Sequence, residues 1–308
     1  MDIRDLRPPV DNGPWPTITH HPPISSDGVR GARSWTGLTY ALVPGYRPLV
    51  LDLHVPEGAG APVPLVVWVH GGGWVEGDRR YVPLEWPQQA LFDKLVAAGV
   101  AVATVDYRLL EEAPFPACVH DCVAAVRYLR RYAGELGLDA TRVGVWGESA
   151  GAHLAAMVAF LGSDPHADDS LLGRVGVGEG DVGVDAAVLY YGPDTLGRLV
   201  SDIAGEGGEG LSWFGDDERM VDLMAPITHV HRGAPPALLV HGTADSIVGL
   251  DHSERLHAAL RSAGVDSTLE VVEGVEHCFV GTTAGTNVEP ILDRTVAFLA
   301  ARLRATVR

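Results

Sequence analysis

Val143-Gly144-Val145-Trp146, then Gly147-Glu148-Ser149-Ala150-Gly151, then the helix-compatible run Ala152 to Leu161, is the stretch that decides the fold. It reads as strand, sharp turn and helix, with a serine at the apex. A turn this tight strains the backbone of the serine, and small neighbours are needed so that its Oγ stands clear. G-x-S-x-G by itself recurs by chance, so the weight comes from the strand before it and the helix after it. Ser149 is the expected nucleophile.

Upstream, Pro64 to Val69 reads as a buried strand that ends in His70-Gly71-Gly72-Gly73-Trp74. A serine attacking an acyl carbon creates a tetrahedral oxyanion, which needs backbone N–H donors aimed at it, and a run of glycines lets the backbone come close enough. The glycines would supply one side of that hole and the N–H of Ala150, the residue after the nucleophile, the other. Downstream, Ala237-Leu238-Leu239-Val240-His241-Gly242-Thr243-Ala244-Asp245 is another apolar strand running into a turn, and Gly274-Val275-Glu276-His277-Cys278-Phe279 follows. Asp245 is assigned as the acid that orients the base, and His277 as the base itself.

The chain has 13 histidines, so the competitors need placing. His153 lies one helical turn after Ser149 and points along the helix, a structural position. His70 and His241 end strands beside the site and are read as loop braces; His229 and His231 flank a loop and are read as solvated. Asp185 and Asp194 are weaker alternatives to Asp245.

Elsewhere the chain alternates strand and helix. Strands are expected at 49–55 (an outer antiparallel strand), 63–69, 100–105, 142–146, 186–191, 237–240 and 268–272, and helices at 84–98, 116–132, 149–161, 251–263 and 289–304. Near-continuous Val/Ala/Leu strands separated by helices imply an α/β fold, with a mostly parallel central sheet, helices on both faces and catalytic loops at one end.

These motifs resemble the α/β-hydrolase superfamily, and within it the hormone-sensitive-lipase-like and BD-FAE-like carboxylesterase branch. The matching residues are His70 to Trp74, Asp106-Tyr107-Arg108-Leu109 with Pro114-Phe115-Pro116-Ala117, Gly147 to Gly151, Pro226-Ile227-Thr228, His241 to Asp245, and His277. The resemblance runs from about residue 36 to the C-terminus. It implies an oxyanion hole of Gly72, Gly73 and Ala150, a small lid, and no cofactor or metal. Cys278 departs from the glycine that many relatives carry after the base. The resemblance permits a homodimer, although no interface signature is visible in the chain.

Two segments break the alternation. Residues 1–35, rich in Pro, Gly, His and Asp, are expected to be an arm that contributes to a lid, preceding a hydrolase domain at 36–308. A lid insertion is expected at about 194–225, where Gly205 to Gly210 carries two glutamates that would repel a phosphate. Trp74, Trp213, Phe214 and Phe279 are the candidates for lining a substrate pocket.

Composition narrows the function classes. A chain of 308 residues with 46% apolar content fits one large globular domain. The N-terminus lacks a basic n-region and an apolar h-region, so the expected location is cytoplasmic. A net charge of −17 opposes binding to nucleic acid or an anionic membrane. Cys118, Cys122 and Cys278 are too few for a disulfide framework, and Cys118 and Cys122 read as small buried hydrophobes rather than zinc ligands.

The reading is a serine hydrolase cleaving small-molecule esters of small to medium acyl groups through an acyl-enzyme. An arylformamidase or other amidase, a biosynthetic acyltransferase and a catalytically inert receptor on the same fold are the rivals. Intact Ser149, Asp245 and His277 weigh against the last.

Overall fold

The computed structural model describes residues 29–80, 82–83, 86–87, 89–197, 218–281 and 288–304. Among them eight strands form one sheet: β1 (Ala32–Ala41), β2 (Leu49–Pro56), β3 (Val63–Val69), β4 (Ala101–Val105), β5 (Leu138–Glu148), β6 (Ala186–Tyr190), β7 (Ala237–Gly242) and β8 (Ser267–Val272). Their spatial order is β1-β2-β4-β3-β5-β6-β7-β8. The first two strands pair antiparallel with each other and β2 antiparallel with β4, and every pairing from β4 to β8 is parallel.

The apolar runs explain this arrangement. All seven residues of β3, Val-Pro-Leu-Val-Val-Trp-Val, are buried, which requires cover on both faces. Strand alternation then divides the core in two: Leu65, Val67 and Val69 point into one cluster, Val66 and Trp68 into the other. Helices Ala117–Arg131, Ala150–Ser163 and Leu250–Ser262 cover the first face, and Ala90–Ala97 and Glu289–Arg302 the second. Trp68 and Trp146 are register partners on β3 and β5, their rings edge to face at 5.4 Å, a contact that adds about 1 kcal/mol to the area buried.

Two elements differ from the sequence reading. β2 is antiparallel but not outermost, because β1 lies beyond it. β1 escapes a periodicity search because its register shifts twice, between Trp35 and Leu38 and between Thr39 and Ala41, which breaks the apolar alternation of an already exposed edge. The helix expected at 84–98 covers Ala90–Ala97; Pro87 precedes it and accepts the Ala90 N–H. Among the described residues no helix is long and apolar enough to cross a membrane.

Candidate active site

Parallel strands ending on one edge place the motif loops together. Ser149 follows β5 directly and adopts φ 52° and ψ −122°, a left-handed conformation that non-glycine residues seldom take. Its N–H donates to the Tyr190 carbonyl at the end of β6, and its own carbonyl accepts from the His153 N–H in the first turn of the helix Ala150–Ser163. The motif glycines are set by close approach. A Cβ on Gly147 would lie 2.1 Å from the Gly151 carbonyl oxygen, and one on Gly151 would lie 2.1 Å from that of Val69. The elbow closes only without side chains at both positions.

His277 Nε2 lies 2.9 Å from Ser149 Oγ, and His277 Nδ1 lies 2.7 Å from Asp245 Oδ2. The three side chains form one hydrogen-bonded line, the arrangement that a nucleophile, its base and an orienting acid require. The Asp245 loop and the His277 loop are clamped to each other: Ala244 N–H donates to the Val275 carbonyl, and the Glu276 carboxylate accepts from the N–H groups of Ser246 and His277. Asp245 Oδ1 accepts from Ile247 and Val248 N–H at 3.0 and 2.9 Å. Burial pushes the Asp245 carboxyl upward, but hydrogen bonds from His241 and His277 outweigh it and hold the group well below the usual carboxylate range. It is ionised near neutral pH.

The glycine loop after β3 is held from several sides. Gly71 N–H donates to Glu148 Oε1 at 2.6 Å, and the Tyr107 hydroxyl donates to the carbonyls of His70 and Gly71. Gly72 has φ 102°, and its carbonyl accepts from Val75 and Glu76 N–H in a tight turn. The N–H groups of Gly72 and Gly73 are engaged in no hydrogen bond among the described residues. Ala150 begins its helix, where N–H groups lack helical partners and the dipole favours negative charge. Trp74 Nε1 donates to His153 Nδ1, and His153 Nε2 donates to the Met224 carbonyl. Burial pushes the His153 imidazole down to about 4, so it is neutral near pH 7.

The other singled-out residues lie elsewhere. Asp194 pairs with His252 and Arg255, and Asp185 accepts the Val143 N–H. His70 stacks on Tyr107 with Nδ1 against the Gly71 carbonyl oxygen. Neither His229 nor His231 is simply solvated: they meet the carbonyls of Leu223 and Phe160. Trp74 and Phe279 are buried, Phe279 stacking on Trp86. Trp213 and Phe214, most of the 194–225 segment and residues 1–28 lie outside the described residues. Sequence reasoning passed over Glu148, the Gly71 acceptor, and Tyr191, whose ring meets His277 edge-on at 4.7 Å. A glutamate inside an otherwise small-residue turn was the available signal for the first.

A mostly parallel sheet with the serine elbow after β5 and the Asp and His loops after β7 and β8 defines an α/β-hydrolase. Solved structures agree. A bifunctional GH43-CE protein of Bacteroides eggerthii superposes with a TM-score of 0.74 at 26% identity, over 88% of this chain and 38% of that one. The butyrate-bound thermophilic esterase Est2 of the planctomycete Thermogutta terrifontis gives 0.65 at 26%, over 88% of this chain and 94% of that one. The chain belongs to the BD-FAE family, whose model matches residues 51–260. Esterase LipQ of Mycobacterium tuberculosis strain ATCC 25618 / H37Rv is 30% identical over 229 residues, 72% of this chain and 52% of LipQ. The chain spans about half the length of the first curated relatives it matches.

Proposed function

We propose that this chain is a carboxylesterase that hydrolyses esters of small to medium acyl groups by two-step acyl transfer. The observation that carries the reading is the line Ser149 Oγ, His277 Nε2 at 2.9 Å, His277 Nδ1, Asp245 Oδ2 at 2.7 Å, with the serine held in its strained turn. Ser149 Oγ attacks the ester carbonyl carbon as His277 Nε2 takes its proton; the carbonyl oxygen becomes an oxyanion facing the N–H groups of Gly72, Gly73 and Ala150. Collapse breaks the ester C–O bond, and the imidazolium returns the proton to the departing alcohol. Water then gives its proton to His277, adds to the acyl carbon, and the second collapse releases the acid and restores Ser149. Asp245 stays ionised throughout and stabilises the imidazolium.

Support for esters comes from the esterase names of the relatives, and for a small acyl group from the butyrate held by the Thermogutta protein. In this reading the hydrolase domain spans about residues 36–308. The test is hydrolysis of p-nitrophenyl esters from acetate to laurate, with N-formylkynurenine alongside, by wild type and Ser149→Ala. Serine-dependent turnover with a short-chain optimum is expected. Preference for the formamide would make the chain an amidase, and ester turnover that survives Ser149→Ala would defeat the mechanism.

A further inference from the structure

His241 is the most buried polar side chain touching the acid of this site. It sits near the end of β7, four residues before Asp245, and is 0% exposed. Its Nε2 lies 2.7 Å from the Val248 carbonyl oxygen and 3.2 Å from Asp245 Oδ2. Both neighbours are acceptors, so that nitrogen carries a proton directed mainly at Val248 and shared with the carboxylate. On the far side of the ring, Nδ1 meets Ser253 Oγ at 2.7 Å, on helix Leu250–Ser262. A serine hydroxyl donating there satisfies Nδ1 and keeps the proton on Nε2.

The Val248 peptide then closes a circuit. Its N–H holds Asp245 Oδ1 while its carbonyl is held by His241. Asp245 Oδ2 meets two imidazoles, His277 at 2.7 Å and His241 at 3.2 Å. We propose that His241, braced by Ser253, is a positioning residue: it fixes the Asp245 carboxylate in the plane of His277 and takes up part of the charge on the oxygen that His277 uses. This rests on the hydrolase reading above.

The consequence concerns the base. A carboxylate oxygen with no second donor binds an imidazolium more strongly, which favours the protonated and therefore inactive form of His277. A second donor on Oδ2 weakens its hold on an imidazolium, so removing His241 should move the acid limb of turnover to higher pH. The other polar and titratable groups around the pair are Ser149 and Glu148 at the elbow, Tyr191 after β6, with its ring 4.7 Å from His277 and 6.5 Å from His241, and Glu276 and Cys278 flanking the base. On the helix after the acid loop, Ser253 is joined by Asp251, His252 and Arg255, the last two paired with Asp194 from the loop after β6. None of these others reaches Asp245 Oδ2 among the hydrogen bonds and ion pairs of the described residues.

The experiment is the pH profile of kcat/KM on p-nitrophenyl butyrate for wild type, Ser149→Ala, His241→Leu, His241→Gln and Ser253→Ala, each checked for folding by thermal unfolding. His241→Leu is expected to move the acid limb to higher pH by about half a unit or more. It should also lower kcat between about 10- and 100-fold, with KM changed less than about twofold. His241→Gln, whose amide can place an N–H near Nε2, should bring the limb back toward wild type. Ser253→Ala should shift it the same way by less. A folded His241→Leu with the wild-type limb, or a His241→Gln that shifts as far as His241→Leu, overturns the proposal. Should His241→Leu fail to fold, Ser253→Ala decides, and an unmoved limb there overturns it. Wild type without Ser149-dependent turnover would defeat the hydrolase reading, and with it the role assigned to His241.

Discussion

Protonating His153 should weaken the folded state at mildly acidic pH. The ring is 1% exposed and lies between two fixed partners, the Trp74 indole N–H on Nδ1 and the Met224 carbonyl on Nε2. A proton on Nδ1 would set two donors against each other in a buried space. The folded-state value near 4 lies below the usual unfolded value of about 6.5. Between those limits the unfolded chain binds more protons, so stability is fully present above about pH 6.5 and is lost as pH falls toward 4. The full difference of roughly 2.5 units corresponds to about 3 kcal/mol, of which about 2 kcal/mol is already lost at pH 5. Urea unfolding followed by tryptophan fluorescence at pH 7 and pH 5 measures it, with His153→Gln as the comparison because the Gln amide can still donate to Met224. Wild type should lose about 2 kcal/mol more than the variant between those pH values. Equal losses would refute the reasoning, since the carboxylates common to both proteins would then account for the whole pH dependence.

Other residues give equally direct expectations. At Gly72, where φ is 102° and a Cβ would stand 2.2 Å from the Glu76 carbonyl oxygen, Gly72→Ala must displace the loop. Steady-state assays should show kcat reduced by about 10²- to 10³-fold in a protein whose thermal unfolding is little changed; retained kcat would remove Gly72 from the oxyanion hole. Asp245→Asn should cost about 10⁴-fold in kcat by favouring the wrong His277 tautomer, and a loss under tenfold would put the orienting acid elsewhere. Away from the site, Asp121 is 0% exposed and accepts from the Arg108 guanidinium and backbone N–H. Arg108→Met, by leaving that carboxylate unpaired, should destabilise by about 3–5 kcal/mol in chemical denaturation, and a neutral result would contradict the ion-pair argument.

Strand and helix placement was legible wherever the core is two-sided. β3, β4, β6, β7 and the Val143–Trp146 stretch of β5 are near-continuous apolar runs because helices cover both faces, and such runs stand out without any tertiary knowledge; the polar first half of β5, from Leu138 to Arg142, does not. β1 was not legible, because an exposed edge with two register shifts loses the alternation that marks a strand. At the site, Ser149, Asp245 and His277 could be proposed because each follows an apolar strand or a glycine turn. The supporting contacts could not. Glu148 reaching Gly71, Trp74 reaching His153, and His241 facing Val248 and Asp245 depend on how loops from different strands meet. His241 and His70 both read as braces at strand ends, and what each one braces is a property of the packed loops. Likewise, Trp74 and Phe279 are aromatics beside motif residues, and sequence cannot say how deeply such a ring is buried.

Covalent capture of the nucleophile tests the central claim most directly. Wild type is treated with a fluorophosphonate that carries a small alkyl group, digested, and the adduct mapped by mass spectrometry alongside residual p-nitrophenyl butyrate turnover. A single adduct on Ser149, formed in step with loss of turnover and slowed by orders of magnitude in His277→Ala, is the predicted result. An adduct on another serine that tracks the loss of activity, or full turnover after Ser149 has been modified, would contradict the account.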